Sequence, residues 1–385
     1  MPIRILVSYV TAGTGHRRAA EAIRDALAER FPGADVRCLD VLTYSPGRFH
    51  AFYAWTYLLL VRHVPWVWQV SYGLLDLAWV YALVQPLRRR WNLAITRRFT
   101  ALLQQQRPDA VVVTHFLPAD VCSAGRAAGW LKAPLVVIVT DLHPHRFWIS
   151  PEADAMVIST PEGAAVLARR GVAKERIRVI GIPVGKAFTQ LADRAELGQR
   201  FGLQEARKTV LVTSGGTTVG RFEEVVASLA GLETELPGQL QLLVVCGEDE
   251  AARRRLTDFA ARTPMPVRVF GFVDYMADLM AASDLIVAKA GGLTVSEALG
   301  RGIPLIFYHV IPGQERLNAD YTARSGAAII APQPAEAAAA VRQCLQEPQR
   351  LEAMRSAARA IAHPWAADTI ASEVVAPLIA QRVSS

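Results

Sequence analysis

The stretch "DLIVAKAGGLTVSEALGRGIPLIFYHVIPGQERLNA", Asp284 to Ala319, decides how this chain is read. It opens on a short apolar, β-branched run of the kind that forms a buried parallel strand. Gly291 and Gly292 make a turn, and the helix-spaced run behind them carries Glu297. A second apolar run, "IPLIFYHV", ends in a polar loop, "PGQERLNA", that holds Gln314, Glu315 and Asn318. Strand, glycine turn, helix, strand and polar loop, in that order, make one segment of a doubly wound sheet, with its ligand edge at the strand C-termini. A helix carboxylate there can accept hydrogen bonds from two neighbouring ribose hydroxyls. The adjacent amide and carboxylate of Gln314 and Glu315 can do the same for a hexose, while helix N-termini attract phosphate. This is the chemistry of a nucleotide-sugar pocket.

The alternation extends in both directions. "KTVLVTSGG", "QLQLLVVCG" and "PVRVFGFV" precede the cassette, and "GAAIIA" follows it. The first half carries its own set: "IRILV", "DVRCLDV", "PDAVVVTH", "APLVVIVTD", "AMVIST" and "IRVIGIP". A chain of 385 residues is too long for one ordinary core. The fold class is therefore α/β: two Rossmann-like doubly wound domains facing each other across an interdomain cleft. The boundaries predicted are 1–185, a linker at 186–204, a second domain at 205–365, and a helix at 366–385 that packs back on the first domain.

Two further turns repeat the strand–glycine–helix design. "SYVTAGTGHRRAAEAI", Ser8 to Ile23, places Gly13 and Gly15 before His16 at a helix start, where backbone can approach a ligand closely. A histidine with near-neutral pKa at such an edge can take a proton from an attacking hydroxyl. "VTSGGTTVGRFEEVV" offers the amides and hydroxyls of Gly215, Gly216, Thr217 and Thr218 to a diphosphate. A fourth motif, "TDLHPHRFW", gathers Asp141, His143, His145, Arg146 and Trp148. It has no third imidazole or thiolate at metal-ligand spacing, so no metal site is expected. Asp141 either orients the acceptor or His16, or is itself the base. His115, at another strand end, reads equally as a site residue or a satisfied structural histidine.

Residues 48–99 interrupt the first half. They hold five of the eight tryptophans, and "RRRWNLAITRR" packs Arg88, Arg89, Arg90, Arg97 and Arg98 near their end. The apolar section from Val64 to Leu87 has the length of a bilayer span, yet Asp76 sits within it. A mid-span aspartate costs about 2.5–3.5 kcal/mol on insertion scales. Aromatic rings mixed with arginine suit a surface lying in the membrane interface, with guanidinium groups on anionic headgroups. Buried core helices or a dimer contact would absorb part of the apolar excess; interfacial docking is the expectation.

The net charge of +7 fits anionic partners. No recognition helix or RNA module accompanies it, so nucleic acid is not expected. Cys38, Cys122, Cys246 and Cys344 lie far apart and read as free thiols of a reducing compartment. "MPIRILV" lacks the basic and long apolar segments of a signal peptide, which points to the cytoplasm, peripheral on the inner face of the cell membrane. Nothing in the pattern sets an oligomeric state.

"KAGGLTVSEALGRGIPLI…IPGQERLNA", with "GTGHRRAAEAI" and "TDLHPHRFWI", resembles the lipid glycosyltransferases of glycosyltransferase family 28. Within it the likeness is to diacylglycerol glycosyltransferases: processive diacylglycerol β-glucosyltransferases and monogalactosyldiacylglycerol synthases. It spans roughly residues 3–330 and implies the GT-B fold, an inverting reaction, a UDP-hexose donor, diacylglycerol as acceptor, and no cofactor or active-site metal. By position it puts His16 at the family's catalytic histidine. Phe272 and Val273 fall where backbone meets uracil, and Glu297 at the ribose. Gln314 and Glu315 fall at the donor hexose, and Gly215 to Thr217 at the diphosphate. Glucose is favoured over galactose. The alternatives are an N-acetylglucosaminyltransferase acting on a polyprenyl-linked sugar, a soluble UDP-sugar epimerase of the same shape, and a non-catalytic lipid-binding relative.

Overall fold

A computed structural model describes residues 2–11, 13–47, 49, 65–216 and 218–384. The chain divides into two compact units. The first comprises residues 1–185, 312–314 and 365–385, and the second residues 186–311 and 315–364.

Each unit is built on a six-stranded parallel sheet. In the first, β1 (Arg4–Tyr9), β2 (Asp35–Asp40), β3 (Ala110–Val113), β4 (Leu135–Ile138), β5 (Ala155–Ile158) and β6 (Ile177–Val179) lie in the order β2-β1-β3-β4-β5-β6. In the second, β7 (Lys208–Thr213), β8 (Leu240–Val245), β9 (Val267–Phe270), β10 (Leu285–Lys289), β11 (Leu305–His309) and β12 (Ala328–Ile330) lie in the order β12-β11-β10-β7-β8-β9. All twelve strands fall on the twelve runs read from the sequence, with β1 continuing two residues past its run to Tyr9. The inner runs are mostly apolar because parallel strands are covered on both faces, while the edge strands β2, β6 and β9 carry Arg37, Arg178 and Arg268. In β1, Ile5 and Val7 enter one core while Leu6 enters the other, and β3 repeats the split with Val112 against Val111 and Val113.

The chain winds outward from the middle of each sheet in both directions. The order reverses between β1 and β3 in the first unit and between β7 and β10 in the second. Loops diverge at such a point and leave a crevice at the strand C-termini, the position where open α/β sheets hold ligands.

The first unit's helices are α1 (Thr14–Arg30), α2 (Pro65–Leu75), α3 (Ala78–Ile95), α4 (Arg97–Gln106), α5 (Phe116–Ala127) and α6 (Pro161–Arg169). The C-terminal segment 366–384 also belongs here. It runs through a π-helical turn at Ile370–Val375, with Ile370, Ala371, Val374, Val375 and Ile379 in one core with Ile5, Val7, Ile23 and Leu27. The second unit carries α7 (Arg194–Phe201), α8 (Phe222–Gly231), α9 (Glu250–Ala260), α10 (Met276–Ala281), α11 (Gly292–Gly300), α12 (Gln314–Arg324, whose first residue is counted with the first unit), α13 (Pro334–Gln346) and α14 (Pro348–Ala360). Residues 186–204, read from the sequence as a linker, hold a 3-10 turn and α7, both in the second unit.

Among the described residues no single helix is long and apolar enough to cross a membrane; α2 and α3 qualify only as a pair bent by 92°. The bend has a local cause. Asp76 lies at the corner, where its carboxylate accepts from Arg170 Nη2 (2.5 Å) and from the backbone N–H of Arg146 (2.9 Å). The insert is thereby tied to the "TDLHPHRFW" loop. Residues 50–64 of the insert, with Trp55, lie outside the described residues.

Candidate functional site

In the first unit, β1 ends at Tyr9 and the chain turns into α1 through Gly13, whose φ of 105° lies in the left-handed region open to glycine. Gly15 and His16 form the first turn of α1. His16 Nδ1 lies 2.9 Å from the carbonyl oxygen of Thr114 and 2.8 Å from Thr140 Oγ1, while Thr114 Oγ1 donates to the backbone carbonyl of His16 at 2.9 Å. Thr114 follows β3 and Thr140 follows β4, so His16 sits at the β1/β3 reversal point. A backbone carbonyl only accepts, so Nδ1 carries the ring proton and Nε2 keeps its lone pair. Burial lowers the His16 pKa to about 4, with the Thr114 carbonyl opposing the shift. The imidazole is therefore neutral at pH 7.

His115 packs edge-on against His16, with ring centroids 4.7 Å apart. Its Nδ1 accepts from the Leu117 N–H at 3.0 Å, which makes it the N-cap of α5. Of the two readings open for His115, the structural one accounts for that nitrogen. His145 plays a similar part: Nδ1 accepts from the Phe147 N–H at 3.1 Å and Nε2 donates to the Tyr72 carbonyl at 3.0 Å. Asp141 Oδ2 accepts from the indole N–H of the buried Trp148 at 3.2 Å, and the Trp148 ring lies 6.3 Å from that of His16. Beyond His115 an aromatic row continues: Phe116 at 4.0 Å, then Phe147 at 5.6 Å from Phe116, then Tyr81 of α3 at 6.2 Å from Phe147.

Helix α3 reverses the usual arrangement. Apart from Leu93 and Ile95 near its end, its inward side chains are polar and converge on Asp120 of α5, which is 4% exposed. Gln85 Nε2 donates to Asp120 at 3.1 Å, Asn92 Nδ2 at 2.8 Å and Arg89 Nε at 3.4 Å, and Arg88 Nη2 stands 3.6 Å away. The Arg88 guanidinium also lies over the Phe147 ring at 4.4 Å. The expectation that Arg88 and Arg89 face lipid is thus corrected, because a buried carboxylate draws both inward. Arg90, Arg97 and Arg98 are exposed. The outward face of α3 carries Trp79, Leu83, Leu87 and Trp91, between 58% and 73% exposed, and α2 adds Trp66, Val70 and Leu74.

In the second unit, Gly215 and Gly216 turn the chain after β7, at the β7/β10 reversal. The carbonyl of Gly216 accepts from the Glu248 N–H at 2.9 Å. Gly247 packs so tightly behind the turn that a Cβ on it would lie 2.4 Å from the Gly216 oxygen. Thr218 Oγ1 is bonded to Asp249, which caps α9 by accepting from the Ala252 N–H at 2.9 Å. Thr217 lies outside the described residues. Gly291 is the N-cap of α11, Gly292 its first residue, and Glu297 a buried residue in its body. Asn318 Nδ2 donates to the Ala290 carbonyl at 3.0 Å, fastening α12 to the turn before α11.

Gln314 and Glu315 open α12. Gln314 Oε1 is buried with no hydrogen-bond partner among the described residues. Glu315 is buried, with Lys289 Nζ at 3.8 Å and the Ile311 N–H at 3.4 Å. Burial pushes its pKa up, and Lys289 pulls against the shift. Phe272 is exposed and Val273 buried just after β9. Among the described residues no three His, Cys, Asp or Glu side chains group as metal ligands.

Sequence reasoning passed over Thr114, whose carbonyl sets the His16 tautomer, Thr140, whose hydroxyl meets the same nitrogen, and Lys289 and His309, the last residues of β10 and β11. All four are polar residues at the ends of apolar strand runs, which is where a doubly wound sheet presents its ligand edge. It also passed over Asp120, whose signal was a lone acid within the apolar run "FLPADVCSAG".

Residues 16–184 match the monogalactosyldiacylglycerol (MGDG) synthase family, and residues 209–370 match the glycosyltransferase family 28 C-terminal domain. A processive diacylglycerol beta-glucosyltransferase of Bacillus cereus (strain AH187) is 31% identical over 281 residues, 73% of this chain and 71% of that one. MurG of Acinetobacter baumannii superposes with a TM-score of 0.64 at 17% identity, covering 97% of this chain and 99% of that one. A UDP-GlcNAc 2-epimerase from Neisseria meningitidis bound to UDP-GlcNAc gives 0.61 at 14% identity, covering 98% and 100%. At such identities these two bear on the fold alone. Two six-stranded parallel sheets, each with a reversal point, define the GT-B fold. The chain belongs to glycosyltransferase family 28, in its diacylglycerol glycosyltransferase group.

Proposed function

We propose that this chain transfers a hexose, glucose in preference to galactose, from a UDP-sugar to the free hydroxyl of diacylglycerol at a membrane surface, with inversion. The observation that carries the reading is His16: Nδ1 is committed to a backbone carbonyl and Nε2 is left as the basic nitrogen, at the β1/β3 reversal point. In the reaction, Nε2 takes the hydroxyl proton while the acceptor oxygen bonds to the anomeric carbon. The bond from that carbon to the UDP oxygen breaks on the opposite face.

The residues from Gly215 to Glu315 supply the donor groups. Glu297 receives the ribose hydroxyls, Gln314 and Glu315 the hexose hydroxyls, and the backbone at Phe272 and Val273 the uracil. The amides of the Gly215–Gly216 turn and the start of α11 meet the diphosphate charge that grows as UDP departs, without a metal. The buried, unpartnered Oε1 of Gln314 supports a sugar-facing role, since such an atom is costly until a hydroxyl bonds to it. Asp141, held by Trp148, acts as a positioning group beside the base. The apolar outer face of α2 and α3, with exposed Arg90, Arg97 and Arg98, rests in the headgroup layer on the inner side of the cell membrane. The named activity of the Bacillus relative supports both the lipid acceptor and glucose.

The test is to incubate the protein with diacylglycerol vesicles and each UDP-hexose, then identify lipid products by mass spectrometry. Hexosyl-diacylglycerol is expected, formed fastest from UDP-glucose; no lipid product from any donor would reject the function. His16→Ala should lower turnover by about 10²–10⁴-fold with UDP binding retained. Undiminished turnover in that variant would reject the role of the imidazole.

A further inference from the structure

A hollow of about 330 Å³ opens in the second unit at the end of its sheet away from Gly291 and Glu315. Asp284 precedes β10 there, and Arg301, Gly302 and Ile303 precede β11. β10 is five residues long, so roughly 16 Å of strand separates this end from the ligand edge. Four arginines from three helical regions line the hollow: Arg194 on α7, Arg301 after α11, and Arg355 and Arg359 on α14.

Their charges are only partly met. The buried Asp284 is shared by Arg194 Nη2 (2.6 Å), Arg355 Nη2 (3.1 Å) and Lys208 Nζ (3.6 Å). Glu352 is shared by Arg355 Nη1 (3.6 Å) and Arg359 Nη1 (3.5 Å). Asp278, which also acts on Arg301, is held by Arg200 at 2.5 Å. Three carboxylates thus face six cations. Arg301 spends its two Nη groups on the carbonyls of Gln190 and Ala187, and its Nε is buried with no hydrogen-bond partner among the described residues. Burial pushes the Arg301 pKa down, a penalty that a bound anion would relieve.

A structural role for these arginines explains how Asp284 is buried, but not the positive surplus around an open hollow. We propose that this hollow is a second anion site, separate from the donor groups, that takes a small phosphate-bearing molecule with phosphomonoester or diphosphate chemistry. Guanidinium forks arriving from several directions suit a tetrahedral group with several acceptor oxygens. The volume suits a small molecule of this kind.

The test is calorimetric titration of the full chain, presaturated with UDP, in two arms. One arm uses inorganic diphosphate. The other uses dihexanoyl phosphatidic acid below its aggregation concentration, which offers the same phosphate chemistry from a lipid. One binding event per chain is expected in at least one arm, and the arm identifies the source. Arg359→Glu, at a side chain 62% exposed, should weaken it tenfold or more, Arg194→Gln should weaken it less, and Glu297→Gln should leave it intact. Circular dichroism confirms that each variant is folded. Binding in neither arm, or binding that both arginine variants leave unchanged, overturns the proposal.

Discussion

Helices α1 and α3 belong to the same unit, are 17 and 18 residues long, and are built with opposite polarity. α1 buries Ala19, Ala20, Ile23, Ala26 and Leu27 against the sheet and turns Arg17, Arg24 and Glu29 outward. α3 buries Asn92, turns Gln85 and Arg88 inward on Asp120, and sends Trp79, Leu83, Leu87 and Trp91 outward at four-residue spacing. A helix folded only for water would not do this, because each exposed leucine forgoes about 1.5–3 kcal/mol of burial. The difference teaches that α3 has two solvents. Its polar side faces the Asp120 carboxylate within the protein, and its apolar side is left for something other than water.

The largest effect should come from breaking the inward side of α3. Asp120→Ala removes the carboxylate and strands the Arg88 and Arg89 guanidinium groups against α5. Losing one partner of a buried ion pair costs about 3–5 kcal/mol; the partial exposure of Arg89 places this case at about 3 kcal/mol. Urea unfolding would read it as a lower midpoint. If the midpoint is unmoved, the polar cluster does not hold α3, and the contrast with α1 fails.

The outward side should behave in the reverse sense. Leu83→Ser combined with Leu87→Ser should leave folding free energy within about 0.5 kcal/mol, since both side chains face out. Binding to diacylglycerol-containing vesicles should fall by about 2 kcal/mol, roughly thirtyfold, if each leucine is about half buried in the interface. Sedimentation with vesicles would measure it. A large loss of stability with unchanged vesicle binding would mean that the face is covered by protein instead.

The same contrast explains what the sequence disclosed and what it withheld. The strands were legible because a buried parallel strand writes its environment as a mostly apolar run, with Arg37, Arg178 and Arg268 falling on edge strands. Gly13, Gly215 and Gly291 were legible as turns because each follows such a run directly. The polarity of α3 was not, since "RRRWNLAITRR" reads as an exposed basic cluster until a partner for it is known. That partner, Asp120, lies about thirty residues away on α5 and pairs only through the tertiary fold. Thr114 and Thr140 were hidden for the same reason: a threonine at a strand end declares its use only when a ring nitrogen reaches it. The four arginines around the hollow in the second unit are likewise dispersed from Arg194 to Arg359.

α1 itself makes one exception to its own pattern, and the last prediction lies there. His16 turns inward at its first turn, and burial holds its pKa at about 4, below the ordinary 6.5. The folded state therefore disfavours the protonated ring. The unfolded state binds a proton near pH 6.5 while the folded state does not, so stability from this group is complete above that pH. It declines as pH falls from 6.5 towards 4, and His115, pushed down by the same cause, adds to the slope. Urea midpoints measured across this window should fall with pH, and His16→Gln should flatten the dependence without removing the part due to His115. The rate should follow a different profile. A base already neutral at pH 7 keeps kcat/KM level down to about pH 5, whereas an exposed histidine would lose activity from about pH 6.5. A rate that drops at the higher value would mean that His16 is as solvated as the outward residues of α1.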